Sequence, residues 1–361
     1  MSEARITDKL ESQEEVKTPL AGEASSKQLA AGPAAGRRIL SGMRPTGKLH
    51  LGNLVGALEN WVKLQCEYES YHFVADWHML TTDYAQTGDL QTNIREMVSD
   101  WLAVGLDPAK ATLFLQSRLP EHAELHLLLS MVTPLGWLER VPSYKEQLEN
   151  MPDRELHTYG FLGYPLLQSA DILMYKANFV PVGEDQVPHV ELTREVARRF
   201  NNFYGDLFPE PATLLTETAR LRGTDGRKMS KSYNNAIYLS DPPEVVEKKA
   251  ATMMTDPARK RRYDPGDPEV CPVFDHHKIF SSPAVIARVN RECRTAEIGC
   301  VECKKLMAAH LNQKLAPIQQ RRRAYEEDPQ QVWAILEDGT EKARKVAQAT
   351  MAEVRKAINL V

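Results

Sequence analysis

The clearest chemistry in this chain belongs to Lys228-Met229-Ser230-Lys231-Ser232, two cations and two hydroxyls around one apolar side chain. The stretch follows Gly223-Thr224-Asp225-Gly226, a turn-forming run. The lysines therefore stand on a loop that can close over a triphosphate and neutralise charge growing in a transition state. A merely solvated basic turn gains nothing from an apolar residue between its cations, so Met229 marks a loop built to dock. Far upstream, His50-Leu51-Gly52-Asn53 opens a helical pattern after Gly42 and Gly47. A helix amino terminus favours phosphate, and glycines let backbone approach a ligand closely. His50 can donate to phosphate oxygens, Gly52 leaves room for a nucleotide ring, and the Asn53 amide is a neutral donor. Each string recurs by chance, but the pair, in this order, points to ATP chemistry.

These groups need a scaffold. Arg38-Ile39-Leu40-Ser41-Gly42 reads as a strand ended by glycine, and Leu54, Leu58, Trp61, Val62 and Leu64 then follow helical spacing. Tyr71 to Asp76 reads as a buried strand, residues 90 to 104 as an amphipathic helix, and Ala111 to Gln116 as a third strand. Helices are expected near 121 to 133 and 162 to 176, a strand at Asn178 to Val182, and a helix from Pro188 to Phe203. The βαβαβ order predicts an α/β fold with a Rossmann-like, doubly wound parallel sheet. In such a sheet ligands sit at the carboxyl ends of the strands. Three segments, Gly42 to Asn53, Asp76 to His78 and Gly183 to Gln186, should therefore converge on one crevice.

Beyond about residue 240 strands give way to helical periodicity, with Leu306, His310, Leu311, Leu315 and Ile318 on one face and Val346, Met351, Val354 and Ile358 on another. Pro317 should kink or restart the first of these helices. The expected organisation is an extension over residues 1–36, a catalytic domain over 37–240 with a helical insertion at about 118–165, and an all-helical domain over 241–361. The extension is rich in Glu, Ser, Ala and Gly, and so is expected to be disordered. With 42% hydrophobic residues in 361, the chain can bury a sizeable core. Its net charge of −4 means that nucleic acid would have to be met by local basic patches. No apolar run approaches the roughly 20 residues of a membrane span, and the first residues lack an apolar signal core. The expectation is a cytoplasmic protein without membrane association.

The segments SGMRPTGKLHLGN, GFLGYPLLQSADILMY, VGEDQ and TDGRKMSKS together resemble the class I aminoacyl-tRNA synthetases, and within them the tryptophanyl-tRNA synthetases. The likeness covers roughly residues 38 to 361. It implies adenylate formation at an ATP site with Mg²⁺, transfer of L-tryptophan to tRNA(Trp), and a homodimer whose helical domain binds the anticodon. It implies catalytic roles for His50, Asn53, Lys228 and Lys231. Arg44, Pro45, Thr46, Gly52, Asn53, Gly183, Glu184, Asp185 and Leu221 would contact ATP, together with Lys228, Met229, Ser230, Lys231 and Ser232. Asp171 would accept the indole N–H, with Gln168, Tyr164, His78 and Leu40 around it. The spacing of Tyr164, Gln168 and Asp171 also resembles the tyrosyl enzymes, so it does not choose the amino acid. ADWHML, LERVPSYKE and VPVGEDQVPHVELTREVARRF favour tryptophan. Some members carry a lysine where this chain has Gln147, which leaves any lysine-gated closure without its lysine.

Two other readings are a small-molecule nucleotidyltransferase and a catalytically silent RNA-binding relative. The first would not need the long helical region, and the second would not need His50, Gly52, Lys228 and Lys231. Cys271, Cys293, Cys300 and Cys303 are separated by twenty-one, six and two residues, while Cys66 stands alone. A cytosolic chain leaves zinc, an iron–sulfur cluster or reduced thiols, and only Cys300 and Cys303 form a zinc-like knuckle. The spacing resembles that of tryptophanyl-tRNA synthetases holding a 4Fe–4S cluster, with one residue fewer between the first two cysteines. Arg259 to Arg262 and Arg321-Arg322-Arg323 are basic runs. Arg321, Arg322 and Arg323 are the expected contacts to tRNA backbone.

Overall fold

Five strands, β1 (Arg38–Met43), β2 (Glu69–Val74), β3 (Ala111–Leu115), β4 (Phe179–Val182) and β5 (Ala212–Leu215), form one sheet in the order β3-β2-β1-β4-β5. Every pairing is parallel. The computed structural model describes residues 36–150, 155–215 and 221–360, so the expected extension over 1–36 lies almost wholly outside the described residues. β2 is buried from Ser70 to Val74, which is why it reads as a continuous apolar run and not as an alternation. The direction of winding reverses between β1 and β4, both of which leave their carboxyl ends at one crevice. β5 escaped the sequence reading because Ala212-Thr213-Leu214-Leu215 is a short, only partly buried edge strand.

The helices before the crevice are α1 (Leu51–Asn53), α2 (Glu59–Leu64), α3 (Asp76–Asp83) and α4 (Leu90–Val104). A π-helical turn, Leu54–Leu58, joins the first two. Next come α5 (Glu121–Ser130), α6 (Leu135–Glu139), α7 (Pro142–Asn150), α8 (Tyr159–Met174) and α9 (Val187–Tyr204). The C-terminal part contains α10 (Pro243–Thr252), α11 (Pro272–Phe280), α12 (Pro283–Arg294), α13 (Cys300–Glu327) and α14 (Pro329–Ala357). Pro317 does not restart α13, which runs unbroken through it. Both Pro317 and Gln313, whose carbonyl loses its helical partner, are exposed, so water can satisfy the freed group.

One hydrophobic core ties distant segments together. Leu49 and Leu51 from the first loop, Met229 from the lysine loop, and Leu311, Leu315 and Leu336 from the C-terminal helices belong to the same buried cluster. A second cluster lies on the other face of the sheet, around Phe114, Leu173, Phe200 and Met351. Among the described residues no helix is long and apolar enough to cross a membrane.

Candidate active site

The two phosphate-binding candidates meet. Lys231 Nζ donates to the Thr46 carbonyl at 2.8 Å and lies 3.1 Å from Thr46 Oγ1, across 185 residues of chain. An antiparallel bridge pairs His50 with Tyr238, and Leu51 N–H donates to the Ile237 carbonyl at 3.0 Å, so the segment after the lysine loop braces the first. Met229 is 4% exposed and docks in the core, as an apolar anchor should. Asn53 Oδ1 accepts the His50 backbone N–H at 3.0 Å and closes the helix start. A Cβ on Gly52 would stand 2.9 Å from the His50 ring, so glycine there is what lets the imidazole fold over the helix. Gly47 is required for another reason, its φ of +91°.

The electrostatics of this loop pair are cationic. Burial first, then Lys231 and Lys228, lower the His50 pKa to about 4, so the ring is neutral at pH 7. Its Nδ1 is buried over Gly52 without a hydrogen-bond partner among the described residues. Burial brings Lys231 down to about 8, against the opposing pull of Asp100. Lys228 remains exposed. The loop is shaped from within by Asn235, 1% exposed: its Oδ1 accepts Ser230 N–H at 2.8 Å and its Nδ2 donates to the Lys228 carbonyl at 3.1 Å. Ser230 Oγ in turn accepts Ser232 N–H at 3.3 Å.

Below them, a cavity of about 490 Å³ opens at the carboxyl ends of β1 and β4. Leu40, Arg44, Thr46, His78, Tyr164, Gln168, Asp171 and Gly183 all line it, and so does Gln147. Asp171, 0% exposed, receives His78 Nε2 at 2.7 Å, Gln116 Nε2 at 2.9 and 3.0 Å, and His122 Nδ1 at 2.6 Å. His122 Nε2 lies 2.8 Å from the Tyr175 hydroxyl. Burial pushes the Asp171 pKa up, but the hydrogen bonds from His122 and His78 outweigh it and hold the carboxyl below its ordinary value. Beside it Ser143 Oγ lies 2.7 Å from both the Tyr164 hydroxyl and His189 Nε2, and burial lowers the His189 pKa to about 4.

The remaining expected residues are distributed more widely. Pro45 is buried, and Arg44 pairs with Asp83 at 3.1 Å and with Thr82. Glu184 and Asp185 are exposed on a 3₁₀ turn at the carboxyl end of β4. Leu221 is 4% exposed, and its carbonyl accepts Met229 N–H at 3.2 Å, so it supports the lysine loop from the core. The arginine run is divided by burial. Arg322 is 2% exposed, with Asp100 at 2.7 Å, Glu96 at 2.5 Å and Glu326 around its guanidinium, which corrects its expected place on an RNA-facing surface. Arg321 Nε donates to the Ala103 carbonyl at 2.6 Å, and Arg323 is exposed. Helical periodicity accounts for the split, since consecutive residues on a helix point about 100° apart.

The four cysteines also converge. Cys271 caps α11, Cys293 lies on α12, and Cys300 and Cys303 form the first turn of α13. Burial, then the neighbouring Cys271, Cys293 and Cys300, push the Cys303 thiol up to about 12. Arg259 Nη1 lies 3.6 Å from Cys293 Sγ. As the side chains stand, no set of three or more His, Cys, Asp or Glu among the described residues is arranged to hold a metal ion. The quartet offers four thiols, one buried and three half-buried, with an N–H donor near one sulfur. Cys66 is exposed and apart from them.

Sequence reasoning missed Gln116, His122, Tyr175, Asp100 and Asn235. Gln116 and His122 follow β3, whose carboxyl end the sequence reading did not include among the segments of the crevice; the strand end at Gln116 was the available signal.

The family model for class I tRNA synthetases (W and Y) matches residues 35–316. A tryptophan–tRNA ligase from Thermotoga maritima is 55% identical over 326 residues, covering 90% of this chain and 99% of the relative. One from Aquifex aeolicus is 47% identical over 393 residues, covering 90% and 100%. The crystal structure of tryptophanyl-tRNA synthetase from Campylobacter jejuni complexed with ADP and tryptophan superimposes with a TM-score of 0.81 at 33% identity, covering 90% of this chain and 100% of that one. Matched over 90% of its length by relatives of 47% and 55% identity, the chain belongs to the class I tryptophanyl-tRNA synthetases, which attach tryptophan to tRNA with ATP.

Proposed function

We propose a division of labour for that reaction. The Lys231–Thr46 contact carries the reading, because it joins a cation of one motif to the backbone of the other, at a residue that also lines the cavity holding Asp171. A tryptophan carboxylate oxygen attacks the α-phosphorus of ATP, the α–β bridging bond breaks, and diphosphate leaves with the electron pair. A ribose hydroxyl of tRNA(Trp) then attacks the adenylate carbonyl, releasing AMP. Lys228 and Lys231 neutralise charge on the phosphates as it shifts, and His50 and Asn53 donate to phosphate oxygens. Arg44, Pro45, Thr46 and Gly52 hold the triphosphate and base, and Gly183, Glu184 and Asp185 hold the ribose. Ser230 and Ser232 add polar contacts, while Leu221 and Met229 support the loop. No covalent nucleophile is needed, since the rate comes from position and electrostatics. Mg²⁺ would be held by phosphate oxygens.

Asp171 is the indole acceptor. A carboxylate has about four lone-pair sites, and His78, His122 and the forked contact of Gln116 to both oxygens fill them, so the substrate N–H would take over the share that Gln116 holds on one oxygen. Gln168, Tyr164, His78 and Leu40 shape the pocket around it. Pyrophosphate exchange with tryptophan and with tyrosine tests this; stronger exchange with tyrosine would overturn it.

The C-terminal helices would bind the anticodon, with Arg323 and Arg321 facing the backbone. Cys271, Cys293, Cys300 and Cys303 would hold a 4Fe–4S cluster, which would order this region. Iron and sulfide analysis of anaerobically purified protein tests the cluster, and colourless protein with one zinc would replace it by that metal. Exposed Leu127 and Met131 on and beside α5 support a homodimer, to be tested by sedimentation.

A further inference from the structure

Asp100 is 0% exposed on α4 and outside the cavity lining, yet its two oxygens face two different parts of the machinery. Oδ2 accepts the backbone N–H of Leu49 at 2.7 Å, one residue before His50. Oδ1 accepts Arg322 Nε at 2.7 Å, from the far end of the helix whose first turn carries Cys300 and Cys303. Arg322 is fixed in turn by Glu96 and Glu326. On the other side of the same short segment, the Leu49 carbonyl accepts Leu239 N–H at 2.9 Å. The approach to His50 is therefore held between Asp100 and the strand-like segment that follows the lysine loop.

We propose that Asp100 and Arg322 are positioning residues of the ATP site, setting His50 through the Leu49 backbone and tying that setting to helix α13. A buried ion pair adds little net stability over apolar packing, so the contribution of this one is geometric. A carboxylate is suited to the task because a single group takes both a backbone N–H and a guanidinium N–H, which makes the loop's position depend on where α13 sits. Asp100 also reaches the second motif, since its charge is the influence that raises Lys231 against burial, and Lys231 with Lys228 in turn lowers His50.

The inference rests on the ATP-dependent activation proposed above, and exchange activity of the unaltered protein tests that reading alone. Asp100→Asn, Arg322→Lys and Arg322→Met are compared in the full chain by pyrophosphate exchange with ATP varied, and tryptophan Kd is measured by fluorescence. Asp100→Asn and Arg322→Met should lower kcat by about 10- to 100-fold with tryptophan Kd within about twofold, and Arg322→Lys should lose less. Asp100→Asn should also move the alkaline limb of kcat/KM for ATP to lower pH, which lost packing alone would not do. A kcat within about twofold of the unaltered protein, an equal loss of tryptophan affinity, or an unmoved alkaline limb would overturn the proposal. Should Asp100→Asn not fold, the kcat-against-Kd split in Arg322→Lys decides by the same criterion.

Discussion

The pocket proposed for tryptophan and the lysine loop lie against the same β1–β4 crevice and are built in opposite ways. Asp171 is fully buried and held by donors from three places: His78 on α3, Gln116 after β3 and His122 on α5, with Tyr175 behind His122. The lysine loop has Lys228 in solvent, Lys231 on the carbonyl and hydroxyl of Thr46, and Met229 as its anchor. The difference suits the two tasks proposed for them. Selecting an indole requires an acceptor whose position is settled before the substrate arrives, because discrimination comes from what is left unpaired when the wrong substrate binds. Stabilising a migrating charge requires cations that admit a triphosphate and then close on it.

Breaking the pocket should have the largest effect. Asp171→Ala leaves His78, Gln116 and His122 without their common acceptor and should destabilise the fold by about 3 kcal/mol, read by denaturant melts. Its preference for tryptophan over phenylalanine in exchange should fall from about 10⁴ or more to the roughly 10- to 200-fold that an apolar cavity supplies. Unchanged discrimination would remove Asp171 from the specificity role.

Breaking the loop should act on rate and leave binding alone. Lys228→Ala and Lys231→Ala should each lower kcat for exchange by about 10²- to 10³-fold, while tryptophan Kd stays within about twofold. A parallel loss of tryptophan affinity would mean that the two regions are not separate devices.

The same contrast explains what could be read in advance. The loop was legible because its chemistry is contiguous: Lys228, Met229 and Lys231 occupy four positions, and a solvated turn has no use for the methionine. The sheet was legible because β1 to β4 are apolar runs separated by helical periods. The pocket was only partly legible, since Gln116 and His122 come to Asp171 through tertiary packing across 55 and 49 residues. Arg322 misled for a related reason. Three consecutive arginines look alike in sequence, but one turn of α13 sends the middle one inward to Asp100.

Acidity separates the two regions most finely. Lys231 is brought down to about 8 by burial, whereas Asp171 is held below its ordinary carboxylate value, and His50, at about 4, is already neutral at pH 7. Raising pH from 7 to 9 therefore changes the charge of the loop and not that of the pocket. If the protonated Lys231 is the active form, kcat/KM for ATP should fall by about tenfold over that range, since a group with this pKa goes from mostly charged to mostly neutral. Tryptophan Kd, measured by fluorescence across the same range, should stay flat. The sign is that of a lysine whose folded pKa lies below its ordinary value: burial disfavours its charge, so rising pH relieves the fold locally while it removes the cation that the phosphates need. Lys231→Arg keeps a cation that does not titrate there, and its profile should lack the alkaline limb at a lower absolute rate. A limb that persists unchanged in Lys231→Arg would assign the titration to another group.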